Sequence, residues 1–192
     1  MCCSVRLNMK IMNIPLIPLY RIYKQMPNNT TINDDIKRFG CIDFFQAMRN
    51  QCFRSLFYYR CKLNNSFLLK IYKLLYPRKE TLQIDCIDQI GGGMVIYHGD
   101  SSIVYPKSIG ENFTVYQQVT IGRGKKIDNN DLPIIGNNVT VYAGAIIVGG
   151  IHIGDNVTIG AGAVVVKDVP DNTTVVGAPV RLIPKGEKTE NE

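Results

Sequence analysis

Histidine is scarce in this sequence: 192 residues hold only two, His98 and His152. With so few, and no soft ligands beside them, a three-histidine zinc centre is excluded and no metal is expected. The six cysteines, Cys2, Cys3, Cys41, Cys52, Cys61 and Cys86, contain no CxxC pair or other metal-ligand spacing. Most stand in apolar surroundings, where a free thiol behaves as a small hydrophobe. A reduced, cytosolic chain is expected. Long apolar runs are missing too. Pro15, Pro18, Arg21 and Lys24 interrupt the apolar pieces at the front, so nothing reaches the ~20 residues of a spanning helix. No signal-peptide core with a cleavage site is evident, and Met9 and Met12 stand beside Met1 as candidate starts.

What is present divides unevenly. Residues 1–80 carry 14 Lys/Arg against 4 Asp/Glu, a balance of +10, and residues 81–192 carry 8 against 12, a balance of −4. A basic front attached to a mildly acidic body reads as two kinds of chain. Three parts follow: a basic helical region over 1–80, a repeat body over 81–183, and a flexible tail over 184–192. In the front part, Phe45, Met48, Cys52, Phe53 and Leu56 share one side of a helix expected over 44–57, with Arg49 and Arg54 turned away. A second helix is expected from Phe67 to Leu75, stopping before Pro77. Such helices would cap the open end of the repeat body. Their basic face also suits an anionic membrane or a lipid-pyrophosphate-linked glycan. The basic residues lack a nucleic-acid reading motif, so no nucleic-acid partner is expected.

From Ile84 onward the sequence repeats every six residues. Ile84, Ile90 and Ile96 are followed, after one extra residue, by Ile103, Ile109, Val115 and Ile121. After a gap the step resumes at Ile135, Val141, Ile147, Ile153, Ile159 and Val165. Four residues after each late member stands a second apolar or small residue: Val139, Ala145, Ile151, Val157, Ala163 and Val169. Neither 3.6-residue nor 2-residue periodicity explains this; a period of six points to a parallel β-helix. Each hexapeptide supplies a short strand and a turn, and Gly, Asn and Asp between them tolerate left-handed corners. Three hexapeptides close one coil, and stacking of about four coils buries the apolar rows. The interruption over 123–133 is polar and loop-forming. It reads as a flap over a site, since loops on rigid scaffolds carry binding groups, or as a tolerated surface insertion.

Four stretches resemble a known group: Ile90-Gly-Gly-Gly-Met-Val-Ile-Tyr-His98, Gln117-Gln-Val-Thr-Ile-Gly122, Ile159-Gly-Ala-Gly-Ala-Val-Val-Val-Lys-Asp-Val-Pro170 and Val176-Gly-Ala-Pro-Val-Arg181. They look like the hexapeptide acyltransferases of the serine O-acetyltransferase type, over about residues 83–183. The resemblance implies a left-handed β-helix with an N-terminal helical cap and a homotrimer. It also implies acetyl-CoA as co-substrate, lying between neighbouring prisms. It makes His98 the general base that draws a proton from an acceptor hydroxyl, a role suited to imidazole near neutral pH. Gly122, Gly124, Ala143 and Ala161 match the small residues lining the acetyl-CoA groove, and Lys167 and Arg181 are candidate phosphate partners. No cysteine lies near His98 in the repeat register, so direct transfer is expected rather than an acyl-enzyme. His152 precedes an inward Ile and should face outward.

The match breaks at the acceptor. The family's aspartate before the histidine is Tyr97 here, and its second aspartate, fifteen residues upstream, is Gln83. The loop's Arg-His pair is Asp131 and Leu132. Asp85, ahead of Asp88, is the candidate to orient His98 in their place. A site that loses paired charges loses affinity for a zwitterion. Ile96-Tyr-His-Gly99 is similar to the motif of capsule and exopolysaccharide O-acetyltransferases. The expected activity is therefore transfer of acetyl to a sugar hydroxyl, in the cytoplasm or at the inner face of the membrane. L-serine is the alternative acceptor, an amino-sugar N-acetyltransferase a further one. An inert trimeric scaffold is the alternative from outside enzymology.

Overall fold

The computed structural model describes residues 14–64 and 66–177. Met1, Met9, Met12, Cys2, Cys3, Arg181 and the tail over 184–192 lie outside the described residues. A short 3-10 turn, Ile14–Leu16, leads into α1 (Ile17–Gln25), α2 (Asn29–Arg38), α3 (Phe44–Ala47), α4 (Gln51–Arg60) and α5 (Phe67–Leu75). Thirteen short strands follow: β1 (Leu82–Ile84), β2 (Val95–Ile96), β3 (Ser102–Val104), β4 (Ser108–Ile109), β5 (Thr114–Val115), β6 (Thr120–Gly122), β7 (Ile134–Ile135), β8 (Thr140–Val141), β9 (Ile146–Val148), β10 (His152–Ile153), β11 (Thr158–Ile159), β12 (Val164–Val165) and β13 (Thr174–Val175).

All pairings between these strands are parallel. β1-β3-β6-β9-β12 form face A, β4-β7-β10 face B and β2-β5-β8-β11-β13 face C. Isolated bridges Ile90 to Ile109 and Ile153 to Val169 extend face B at both ends, so the prism has five coils rather than about four. It is a left-handed parallel β-helix with N-terminal helices, against the usual hand of parallel crossovers. The inward rows are Ile84, Val104, Ile121, Ile147 and Val165 on face A, and Ile96, Val115, Val141, Ile159 and Val175 on face C. One position departs from the expected register. Ile103 is 42% exposed and Val104 is buried, so the inward residue comes one place later.

The corner between faces B and C is closed by asparagine. Asn112, Asn138, Asn156 and Asn172 are all left-handed, with φ of 55° to 58°. The side-chain amides of Asn112, Asn138 and Asn156 each donate to the next Asn Oδ1 along the axis, at 3.0 to 3.1 Å. Asn is the residue that accepts this backbone at low cost while keeping a side chain able to bond.

The first coil has an open edge, and the helices close it with charge. Arg60 pairs with Asp35 at 3.1 Å, both nearly fully buried. The same guanidinium donates to the carbonyls of Ile90 and Gly91, and Asp35 accepts from Met94 N at 2.8 Å. Arg38 adds bonds to Gly93 O and Thr114 Oγ1, at 3.0 and 3.1 Å. Backbone groups that would otherwise template another strand are thus satisfied. The expected single helix over 44–57 is two. Asn50 adopts an extended backbone and its side chain accepts from Cys52 N and Phe53 N, restarting the helix as α4. Cys52 and Leu56 of α4 join the prism core. Among the described residues Cys41, Cys52, Cys61 and Cys86 are free thiols, and no helix is long and apolar enough to cross a membrane.

Burial pushes the Asp35 carboxyl up to about 6 against the pull of Arg60. The folded chain therefore holds this proton more tightly than the unfolded chain. The contribution favours folding most below about pH 4 and fades as pH rises through 6. Asp35→Asn should flatten the stability slope across that window in urea denaturation. Arg60→Ala, which strands a buried carboxylate, should cost about 3–5 kcal/mol in the same measurement at pH 7.

Candidate active site

The register shift has a local cause. At the corner from face C to face A, residues 97–101 fill the space that 116–118 or 142–144 fill in later coils. The two extra residues loop outward, and three of the five are left-handed: His98 at φ 64°, Gly99 at 62° and Ser101 at 50°. Gly99 N donates to Tyr97 O at 2.7 Å, closing a tight turn around His98. A Cβ on Gly99 would lie 3.0 Å from both Cys52 Sγ and Ile96 Cγ2, so the turn sits hard against α4. The His98 side chain is left exposed. A left-handed histidine is uncommon, and it is observed before it is explained.

His98 opens onto a cleft of about 430 Å³ whose walls include Gln51, Cys52, Lys79 and Tyr97. Larger clefts of about 700 and 770 Å³ border the helical region and contain no histidine. Lys79 Nζ pairs with Asp100 at 2.8 Å, and Thr81 Oγ1 donates to the same carboxylate at 3.3 Å. The Lys79 hydrogen bond is the main force holding the Asp100 carboxyl below its usual range, and the His98 charge adds to it. Asp85 is not beside the imidazole. It follows β1 at the far edge of face A, roughly 15 Å away at ~3.3 Å per residue, and bonds Lys62 Nζ and Cys86 N. Helical packing also brings a cysteine that the repeat register alone places nowhere near. Cys52 Sγ donates to the His98 carbonyl at 3.3 Å. Burial raises its thiol pKa, which keeps it protonated and a poor nucleophile.

Above His98 along the axis, register places Gln117, Ala143 and Ala161 at the equivalent corner position. Tyr97, Tyr116 and Tyr142 form a neighbouring stack with centroids 5.0 Å apart, ended by Gly160. The Oε1 of Gln117 is buried without a hydrogen-bond partner. The sequence signal for it was the quoted Gln117-Gln118 pair, which carried no assigned role.

The remaining candidates stand at the other edge of face A. Gly122 ends β6, Lys167 follows β12 and is exposed, and Gly124 starts the 123–133 loop. This loop does not cover His98 of its own chain. Ile127 and Asn130 bridge, and Asp128 and Asn129 turn with φ of 46° and 63°. Arg123 pairs with Asp131 and lies over the Tyr105 ring at 5.8 Å. Leu132 is buried, so neither residue at the family's Arg-His positions is offered to an acceptor. A Cβ at Gly124 would lie 2.6 Å from Gly149 N, which explains that glycine by packing. At Gly122 nothing lies within 4 Å of such a Cβ, and the backbone is not left-handed. His152 is exposed on face B, and no cluster of three potential metal ligands occurs among the described residues.

Residues 133–167 match the family described as bacterial transferase hexapeptide (six repeats). A Synechocystis serine acetyltransferase is 50% identical over 102 residues, 52% of this chain and 41% of that protein. One from Helicobacter pylori is 42% identical over 98 residues, 50% of this chain and 57% of that protein. The chain thus spans about half the length of the curated relatives it matches. Among solved structures, Neisseria gonorrhoeae serine acetyltransferase aligns with TM-score 0.57 and 26% identity, covering 84% of this chain and 66% of that one. The soybean serine acetyltransferase apoenzyme aligns with TM-score 0.56 and 26% identity, covering 85% and 72%.

The hairpin loop rests on Gly150, where a Cβ would lie 2.0 Å from Asn130 O. Gly150→Ala should lift it from the prism. Tryptic cleavage at Lys125 and Lys126 should speed up roughly tenfold while the coils keep their far-ultraviolet signal.

Proposed function

We propose that this chain is an acetyl-CoA-dependent O-acetyltransferase with His98 as general base. The observation that carries the reading is the widened corner. It presents one of two histidines at a cleft mouth, below the column Gln117, Ala143 and Ala161, in a chain similar to serine acetyltransferases. His98 takes the proton from an acceptor hydroxyl as that oxygen attacks the thioester carbonyl. The resulting imidazolium then protonates the departing thiolate, so acetyl moves to the acceptor and the free thiol leaves. Asp100, two residues from His98 and tied to Lys79, takes the place first assigned to Asp85 as the carboxylate near the imidazole. Ala143 and Ala161 on one edge of face A, with Gly122 and Lys167 on the other, line the acetyl-CoA groove once two copies meet. Arg181 joins them as a phosphate partner. Exposed Ile103, Ile146, Val164 and Val166 give face A an apolar strip for such a contact, in a homotrimer.

L-serine is the acceptor with the better support, because the curated and structural relatives carry serine acetyltransferase in their names. A sugar hydroxyl is kept as the second reading on one observation. Leu132 is buried and Asp131 is tied to Arg123, so the amino-acid clamp is missing from the loop. The relatives named above are all serine acetyltransferases.

Thiol release from acetyl-CoA, measured with L-serine and with a panel of sugars and short glycans, separates the acceptors. Serine turnover at least tenfold above every sugar is the expected result; the reverse order selects the second reading. His98→Ala should lower kcat by roughly 10²–10⁴-fold. It should still sediment as three chains and bind acetyl-CoA in titration calorimetry. Full activity in that variant removes His98 from the mechanism.

A further inference from the structure

α5 is apolar on two opposite sides and basic along one flank. Of its nine residues, Phe67-Leu-Leu-Lys-Ile-Tyr-Lys-Leu-Leu75, only Lys70 and Lys73 are charged. Leu69 and Tyr72 are buried in the core of the helical cap, and Tyr58 fixes the helix by donating to Tyr72 O and Tyr76 O at 3.0 and 2.8 Å. On the opposite side Phe67, Ile71, Leu74 and Leu75 recur at i, i+4, i+7 and i+8, one face of a helix. Phe67 is 77% exposed, Leu74 82% and Leu75 64%. Leu63, in the preceding turn, is 91% exposed. A helix with an exposed apolar stripe beside a basic flank has the make-up of an interfacial helix, and a contiguous exposed stripe of this kind marks an interaction surface.

The charges beside the stripe are of one sign. Helical spacing sets Lys70 and Lys73 along one flank, Arg78 follows, and residues 62–79 contain no Asp or Glu. Among the described residues Lys70, Lys73 and Arg78 make no ion pair.

We infer that this stripe docks on an anionic lipid bilayer. Phe67, Ile71, Leu74 and Leu75 enter the acyl boundary while Lys70, Lys73 and Arg78 meet headgroup phosphates. Charge selects this occupant over the others at hand. A second copy of α5 would set lysines against lysines with no acid in the segment to answer them. The chain's own residues 1–13 carry Arg6 and Lys10 and likewise no acid. An anionic bilayer supplies both the apolar boundary and the missing negative charge. The inference is independent of which acceptor His98 serves.

The chain contains no tryptophan, so Leu74→Trp in the full-length protein installs a single indole on the stripe. Its emission is read with phosphatidylcholine vesicles, with vesicles also containing phosphatidylglycerol, and without lipid. A blue shift of roughly 10 nm and co-sedimentation on the anionic vesicles alone are expected. Lys70→Glu with Lys73→Glu should weaken that partition about tenfold. The absence of a shift on anionic vesicles overturns the inference. So does vesicle binding with an unshifted indole, which would place the contact elsewhere. A blue shift that grows with protein concentration in the absence of lipid also overturns it, in favour of a second copy.

Discussion

Everything in this molecule is placed by the backbone hydrogen bonds that run from coil to coil along the prism axis. Each strand is only two or three residues long and holds no register by itself. Bonds such as Tyr97 N to Val115 O, Tyr116 N to Val141 O and Tyr142 N to Ile159 O, all 2.8 to 3.0 Å, fix it from the neighbouring coil. Once they form, residues one coil apart stand about 4.8 Å above one another. The apolar rows close and the corner asparagines come within reach of each other. No repeat can do this alone, because a single coil exposes both its edges and its apolar row. The cost falls on the terminal coil. Here Asp35, Arg38 and Arg60 supply from the helices the donors and acceptors that a preceding coil would have supplied.

The same constraint explains where chemistry can sit. A residue inside the period must point into the prism or along a flat face, so a reactive side chain needs a departure from six. Among the described residues two insertions break the period, and they lie at opposite edges of face A: the widened corner over 97–101 and the hairpin over 123–133. The first throws His98 outward. The second builds a rigid ridge held by Arg123, Asp131 and Gly150. Between them runs a face with an exposed apolar strip. On the proposed reading, a second copy brings the ridge of one chain to the imidazole of another.

How much of this was legible in the sequence depended on whether a feature was periodic. The inward Ile and Val rows from Ile109 onward, the corner Asn residues and the α5 boundaries follow from local pattern and stand as read. The period misplaced the inward residue at Ile103, because it counted one extra residue where the corner admits two and the next turn gives one back. Asp85 was named because an acid is needed near His98 once Gln83 and Tyr97 stand where the family has aspartates, whereas the strand path sends it to another edge. Cys52, Lys79 and the Asp100 pair were invisible for the same reason. Cys52 and Lys79 reach His98 only through the packing of α4 and the 76–81 turn, which no repeat encodes. Asn50 did carry a signal, since it is a good N-cap, but a continuous apolar side from Phe45 to Leu56 masked it.

This division has a consequence for specificity. The donor side of the proposed site is made of repeat residues, Ala143, Ala161 and Gly122, whose positions are forced by the ladder. The wall opposite His98 is made of Gln51, Cys52 and Lys79, which belong to the basic, non-repeating front. Changing Gln51 or Lys79 leaves the inward rows untouched, because α4 meets the prism core mainly through Cys52 and Leu56 and through the charged clasp around Arg60. A helical cap with different side chains at positions 51 and 79 would therefore present a different acceptor to the same imidazole. On the proposed reading, loop positions 131 and 132, withdrawn into an ion pair and the core, leave the choice of acceptor to the cap.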